Sequence, residues 1–137
     1  MNRDESILDA ARLMREQHVG DVVVVEQREG TPVPVGILSD RDIVIEVLAK
    51  EVSPDSVSVG DIMSTQLLIA RETDEILDTI KSMRTGGVRR MPVVDETGAL
   101  VGILALDDFI ELIAEQLTDL VGLLSNEVRR ERDLRSD

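Results

Sequence analysis

The pattern of apolar and polar positions predicts the same order of elements twice along the chain. In the first part, apolar residues at helical spacing from Glu5 to Gln17 predict an amphipathic helix. The β-branched run Val22 to Val25 and the segment Val33 to Leu38 predict two strands, joined by a charged turn that contains Gly and Pro. Helical spacing returns after Ser39, so the expected order is helix, strand, strand, helix.

The second part repeats this order. A helix is expected from about Asp74 to Arg84, followed by strands at Met91 to Val94 and Leu100 to Leu104 and then by another helix. We expect the first helix of this part to turn four residues toward the core: Ile76, Leu77, Ile80 and Met83. An additional strand around Leu67 to Ala70 has no counterpart in the first part, because the equivalent residues would precede Met1. The first copy is therefore predicted to begin at its helix.

One phrase of the sequence shows that the two parts are copies of each other. The residues Val35 to Asp42 return as Val101 to Asp108, 66 positions later. A repeat of this kind indicates duplicated supersecondary units. We therefore predict an α/β (α+β) fold with two pseudo-symmetric helix-strand-strand-helix copies. The predicted division is 1–52 for the first copy, 53–58 for a linker, 59–116 for the second copy and 117–137 for a C-terminal helical extension.

Composition narrows the functional classes. The 137 residues include no Cys, which excludes disulfides and thiolate metal sites. The formal net charge of −13 and a single aromatic residue, Phe109, argue against nucleic-acid binding. No apolar run approaches the roughly 20 residues that span a bilayer, and the N-terminus has no signal-peptide character, so we expect no membrane partner and a cytoplasmic location.

Three motifs resemble those of the tandem CBS-domain family. They are Val35 to Ser39 with Asp42, the basic pair and apolar run from Arg89 to Val94, and the junction Asp61 to Ser64. The resemblance implies a regulatory module whose two copies pack their sheets about a pseudo-two-fold axis. It also implies that adenine nucleotides bind in the clefts between the copies.

The residue types in these motifs suit an adenosine ligand. Asp42, in the first turn of a helix, could accept hydrogen bonds from ribose hydroxyls, and Ser39 could bond a ribose or phosphate oxygen. Arg89 and Arg90 are the expected phosphate partners, because a guanidinium group presents a planar fork of donors. The other expected contacts are the backbone of Val22, Val23 and Val24, the side chain of Ile37, the motif residues Met91 and Pro92, and Asp108 at a weaker second site.

The two copies are not equivalent at this site. Ala105 replaces Ser39 in the second copy, and Gly20 and Asp21 stand in the first copy where Arg89 and Arg90 stand in the second. We therefore expect a single occupied cleft, at Ser39 and Asp42.

Each of these residues also has a purely structural interpretation. Ser39 is a common helix N-cap, Asp42 and Asp108 are first-turn acids, and Arg89 and Arg90 could mark a solvated strand end. His18 stands alone and is expected at a helix end or on the surface. No catalytic motif is present, so the sequence predicts a non-enzyme that binds an adenosine compound (AMP, ADP, ATP, NAD or S-adenosylmethionine). The alternative is an interaction or dimerisation module without a ligand.

The C-terminal segment predicts a long amphipathic helix from Asp107 to about Arg132. Its apolar stripe is wider than one surface helix needs and comprises Phe109, Ile110, Leu112, Ile113, Leu117, Leu120, Val121, Leu123 and Leu124. We expect part of this stripe to contact another chain in a homodimer; the alternative is that the helix folds back over its own sheet. Gly122 is expected to kink or end the helix.

Overall fold

The structure is a computed structural model that describes residues 1–135, with the backbone alone for Arg135. Contacts divide the chain into two compact units, one that ends at Ile103 and one that begins at Leu104. The first unit contains the first copy and most of the second. The last two residues of the predicted extension, 136–137, lie outside the described residues.

The first copy has the predicted order of elements. Helix α1 (Ile7–Gln17) is followed by strands β1 (Asp21–Arg28) and β2 (Thr31–Ser39), which form an antiparallel pair. Helix α2 (Asp40–Ile43) continues as a π-helical turn (Val44–Leu48). The core of this copy consists of Ile7, Ala10, Met14, Val24, Leu38, Ile43, Val47 and Val59.

The second copy follows a short connecting helix, α3 (Val59–Ile62). It comprises strand β3 (Ala70–Arg71), helix α4 (Ile76–Gly86), strands β4 (Arg90–Val94) and β5 (Leu100–Ala105) and helix α5 (Leu106–Arg135). Its three strands form one sheet in the order β3-β4-β5, with β3 parallel to β4. The predicted α/β class and the helix-strand-strand-helix order are thus confirmed in both copies.

The helices α1 and α4 end at equivalent positions of the repeat. His18 follows α1 with φ 55° and Gly87 follows α4 with φ 65°, both in the left-handed region, and the backbone N–H of His18 is bonded to the carbonyl of Met14. His18 is exposed, as expected for a helix-end residue. The predicted helix stop at Gly86-Gly87 is confirmed as well. Glycine suits the position after the helix because it adopts the left-handed conformation without a steric penalty.

The first copy retains a remnant of the strand that was expected to be missing. Asn2 pairs with Val25 in parallel orientation, and β3 pairs with β4 in the same way in the second copy. The backbone N–H of Val25 donates to the carbonyl of Met1 at 2.8 Å. The first helix or strand of this copy is nevertheless α1, and Asn2 before it forms one isolated bridge and no strand. Two residues are enough for one bridge, although their side chains offer no hydrophobic pattern by which a strand could be recognised.

The predicted core face of α4 needs a correction. Met83 is buried and Ile80 is half-buried, but Ile76 and Leu77 are 57% and 71% exposed. In the first copy, the segment after Pro54 covers the start of α1: Ile7 donates its backbone N–H to Val57, and Val59 lies in the core. The chain at the equivalent place in the second copy, 66 residues later, is part of α5. The start of α4 therefore lacks a segment like the one after Pro54 that covers Ile7.

The glycines of the two repeated phrases have different surroundings. A Cβ placed on Gly36 would lie 2.5 Å from Sδ of Met63 and 2.9 Å from the carbonyl oxygen of Ser64. The backbone of Ser64 is bonded to Ile37 on the outer edge of β2, with N–O distances of 2.9 and 3.0 Å. A Cβ on Gly102 would meet nothing within 4 Å, and its neighbours Val101 and Ile103 are exposed. Only the first glycine is required by close packing.

This difference predicts unequal effects of one substitution. Gly36→Ala should destabilise the protein by about 1–3 kcal/mol, because Met63 and the backbone of Ser64 must move. Gly102→Ala should change the free energy of unfolding by less than about 0.5 kcal/mol. Denaturant unfolding of both variants measures the difference. Equal effects of the two substitutions would contradict the packing that the structure shows at β2.

Candidate functional site

The repeated segment of the first copy, Val35 to Asp42, ends in a polar corner at the start of α2, formed by Ser39 and Asp42. The backbone N–H of Asp42 donates to Oγ of Ser39 at 3.1 Å, and the backbone N–H of Ser39 donates to Oδ2 of Asp42 at 2.9 Å. Both side chains therefore cap the helix, as the structural interpretation expected. Both remain only half-buried, and each retains capacity for further bonds, since a carboxylate offers about four acceptor positions and a hydroxyl can still donate.

An arginine of the second copy reaches this corner of the first copy. Nε of Arg90 lies 3.3 Å from Oδ1 of Asp21, and both side chains are about two-thirds buried, with 33% and 28% exposed. Asp21 is paired with Ser39 in the register of β1 and β2, so the ion pair lies beside the capped start of α2. The structure thus brings Arg90 to the residue that faces Ser39 across the hairpin, and it adds Asp21 to the candidate site.

A second carboxylate influences this ion pair. Burial raises the pKa of Asp21; the Arg90 guanidinium opposes the shift, and the Asp40 carboxylate adds to it by repulsion. The backbone N–H of Asp40 donates to the carbonyl of Gly20 at 2.8 Å, which holds the two acidic side chains near each other. The corner therefore combines one guanidinium with three carboxylates, those of Asp21, Asp40 and Asp42.

The residues whose backbone was expected to bind an adenine ring already form backbone pairs within the chain. Val22, Val23 and Val24 are paired with Leu38, Ile37 and Gly36 across the hairpin. The carbonyl of Val23 also accepts a hydrogen bond of 3.2 Å from the amino group of Met1. The outer edge of Ile37 is bonded to Ser64. A ligand could use these edges only by displacing Met1 or Ser64, although the half-buried side chains of Val22 and Ile37 remain accessible.

The remaining predicted site residues lie in three different environments. Met91 and Pro92 are buried, so their side chains support the core beneath β4. Arg89 is exposed at the entrance to the same strand. Asp108 is exposed in the first turn of α5, in the other compact unit.

Asp21 was not singled out as a site residue from the sequence, although a signal was present. In the alignment of the two copies, Asp21 and Arg90 occupy equivalent positions. Equivalent residues that lie near a pseudo-two-fold axis face each other, and opposite charges at such a position favour an ion pair. The exchange of Arg for Asp between the copies was noted as a loss of the basic pair, whereas it creates a contact between the copies.

A cleft in the second copy does not offer a second candidate of suitable size. It lies between β3 and α4, has a volume of about 190 Å³ and is lined by Ile69, Ala70, Asp74, Asp78, Thr79, Ser82 and Met91. Ligand pockets usually have about 300–1,000 Å³. The backbone N–H of Arg71 donates to Oδ2 of Asp74 at 2.9 Å, so this oxygen of the cleft already has a partner within the chain.

Comparison with known protein families identifies what the repeated unit is. The family model of the CBS domain matches residues 1–49 and 59–115, one match for each copy. The chain belongs to the CBS-domain family. Its two copies are therefore a CBS pair, and the corner at Ser39 lies in the first CBS repeat.

Relatives of known sequence include three with substantial identity. A protein of Methanopyrus kandleri is 36% identical over 79% of this chain and 54% of its own length. The CBS domain-containing protein YhcV of Bacillus subtilis is 36% identical over 77% of this chain and 71% of its own length. Hypoxic response protein 1 of Mycobacterium tuberculosis is 30% identical over 81% of this chain and 75% of its own length. The chain thus spans about half of the Methanopyrus relative.

Solved structures share the fold of this CBS pair. The crystal structure of Hypoxic Response Protein I with two coordinated zinc ions has a TM-score of 0.70 and 29% identity, and covers 81% of this chain and 87% of that one. A CBS-domain protein of Burkholderia ambifaria has a TM-score of 0.70 at 24% identity, covering 82% of this chain and 79% of its own.

Two further observations concern metal ions and membranes. In the part of the chain that the structure describes, no three His, Cys, Asp or Glu side chains are grouped so that they could hold a metal ion. Within residues 1–135, no helix combines the length and the apolar character that crossing a membrane requires.

The ionisation of Asp21 yields a prediction about stability. Because burial raises its folded-state pKa above the unfolded value, its contribution is fully present below about pH 3.9 and is lost as the pH rises through the folded pKa. Asp21→Asn should therefore gain stability relative to the parent chain between pH 3 and pH 7, as measured by urea unfolding at both pH values.

Asp61 supplies a control with the opposite sign. Hydrogen bonds from Ser58 lower the pKa of Asp61, so its contribution is present above about pH 3.9 and is lost as the pH falls through the lowered value. Asp61→Asn should lose stability relative to the parent chain over the same rise in pH. If Asp21→Asn behaved like Asp61→Asn, attraction to Arg90 would outweigh burial at Asp21.

Proposed function

We propose that this CBS pair is a non-catalytic regulatory module that binds an adenosine compound at the corner formed by Ser39, Asp42, Asp21 and Arg90. The observation that supports the proposal most directly is the 3.3 Å contact between Arg90 of the second repeat and Asp21 of the first. The contact supports the proposal because it brings a guanidinium group to the residue that faces the Ser39 hydroxyl across the hairpin. Those are the groups that a sugar and a phosphate require.

Each residue has a distinct role in this proposal. One oxygen of Asp42 remains bonded to Ser39, and the free acceptor positions take the ribose hydroxyls. The hydroxyl of Ser39 donates to a ribose or phosphate oxygen. Ile37 and Val22 supply apolar contact for the base. Hydrogen bonds to charged groups contribute roughly 1.5–3 kcal/mol each.

The same contact provides a route from binding to regulation. Arg90 bridges the two repeats by its pairing with Asp21. A ligand phosphate competes with Asp21 for the guanidinium, because both are anions and Arg90 presents a limited fork of donors. Phosphate binding then weakens the contact between the repeats and changes their relative pose. The response of the module is thus greatest for ligands that engage Arg90.

The proposal predicts stabilisation by an adenosine compound that depends on Asp42. At least one of AMP, ADP, ATP, NAD and S-adenosylmethionine should raise the melting temperature, with about 2.7 kcal/mol of stabilisation at 100 times the Kd. Asp42→Ala should abolish this shift. The variant also loses a helix cap, which costs about 0.5–2 kcal/mol without ligand. Thermal shift and calorimetric titration measure the two effects separately.

Asp61 again provides the matched control, because its carboxylate accepts the backbone N–H of Ser58 at 3.1 Å in the same capping geometry. Asp61→Ala should lower the intrinsic stability but leave the ligand response intact. If none of the five compounds stabilises the protein, or if both variants respond like the parent chain, the proposed site is wrong.

A second prediction separates the phosphate from the nucleoside. Arg90→Gln should weaken binding of AMP about 10- to 100-fold, the equivalent of one charged hydrogen-bonded contact, and should leave the affinity for adenosine nearly unchanged. Arg71→Gln removes one charge from an exposed residue of β3 and should affect neither ligand. Titration of the three proteins with both compounds provides the measurement. An equal loss for AMP and adenosine in Arg90→Gln would contradict the role of Arg90.

A further inference from the structure

Helix α5 extends well beyond the part of the chain that the family model matches. The match ends at residue 115, whereas the helix continues without interruption to Arg135. The predicted break at Gly122 is absent: α5 continues through this residue, since one glycine inside a helix costs only about 1 kcal/mol. Residues 116–135 therefore lie beyond the part of the chain that the family model matches.

The apolar residues of α5 form a regular seam that is open to solvent. Five of them recur alternately three and four residues apart, and each is between 48% and 61% exposed: Ile110, Ile113, Leu117, Leu120 and Leu124. This spacing is that of the a and d positions of a coiled coil. The neighbouring seam-flanking positions carry Ala114, Gln116, Val121 and Leu123, which are uncharged. The acids Glu111, Glu115 and Asp119 lie on the outward positions.

The exposed area of this seam is appropriate for a second copy of the helix. Together with Val121 and Val128, the five residues expose on the order of 700 Å², close to the roughly 800 Å² that one partner contributes to a standard stable interface. Solitary apolar residues on a surface need no partner, but a contiguous stripe of this size marks an interaction site.

The charges along α5 favour an antiparallel arrangement of two copies. Residues 106–119 include five acids and no base, whereas residues 129–135 include four Arg and two acids. A parallel pair would place the acidic halves side by side. It would also set Glu127 against Glu127 and Glu131 against Glu131 at positions that continue the seam. An antiparallel pair avoids both repulsions and brings each acidic half beside an arginine-rich end.

We propose that α5 forms an antiparallel two-helix coiled coil with α5 of a second copy of this chain. The two-fold axis passes near Leu117 and Leu120, so that these residues pack against each other and Ile113 packs against Leu124. The proposed interface shares no residue with the ligand corner in the first repeat.

Sedimentation velocity of the full chain tests the association. The parent chain should be a dimer at micromolar concentration, and Leu117→Glu combined with Leu120→Glu should weaken the dimer about 100-fold or more, because two charges enter the seam of each helix. Ser125→Glu adds a charge to an exposed outward position of the same helix and should leave the dimer intact. A parent chain that is monomeric, or a dimer that persists in the double variant, overturns the proposal.

Distance measurements test the orientation. The chain has no Cys, so Asp108→Cys accepts a single spin label. In the antiparallel pair the two labels are separated by about 21 residues of helix, or roughly 30–40 Å, whereas a parallel pair places them within about 20 Å. A short distance overturns the proposal.

Discussion

The ion pair between Asp21 and Arg90 connects the two halves of the duplicated chain, and the arrangement of the candidate site depends on it. Its two members occupy equivalent positions of the repeat, so the contact exists only because one copy carries an acid where the other carries a base. The antiparallel register of β1 and β2 then sets Asp21 opposite Ser39. The difference in charge between Asp21 and Arg90 thus brings a guanidinium group to the corner at Ser39 in the first copy.

Most of the fold could be predicted because duplication doubles every local signal. The phrase that begins at Val35 and returns at Val101 defined both hairpins, and the glycine stop after α4 was evident from composition. The exposed start of α4 could not be predicted, because Ile76 and Leu77 follow the same helical pattern as Ile7 and Leu8. What differs is the segment that follows Pro54 and covers α1, and no periodicity in α4 reports its absence from the second copy.

The candidate site was predictable in its residue types but not in its surroundings. Ser39 and Asp42 lie where a helix begins, as expected, yet the hydrogen bonds between them also show that capping alone accounts for part of their geometry. The hydrogen bond from the amino group of Met1 to the carbonyl of Val23 could not be predicted, because the sequence does not show which edge of the hairpin is open. Asp21 was overlooked because the meeting of equivalent positions is a property of symmetry in three dimensions, and a linear pattern contains no such information.

The crowding of Gly36 and the freedom of Gly102 have a consequence for how this sequence can drift over generations. A replacement at Gly36 requires both the side chain of Met63 and the backbone of Ser64 to move, so this position is expected to change rarely. Gly102 can be exchanged by a single mutational step. The two halves of the duplicated gene are consequently under unequal purifying selection at this position. Substitutions of the glycine are expected to accumulate sooner in the second half.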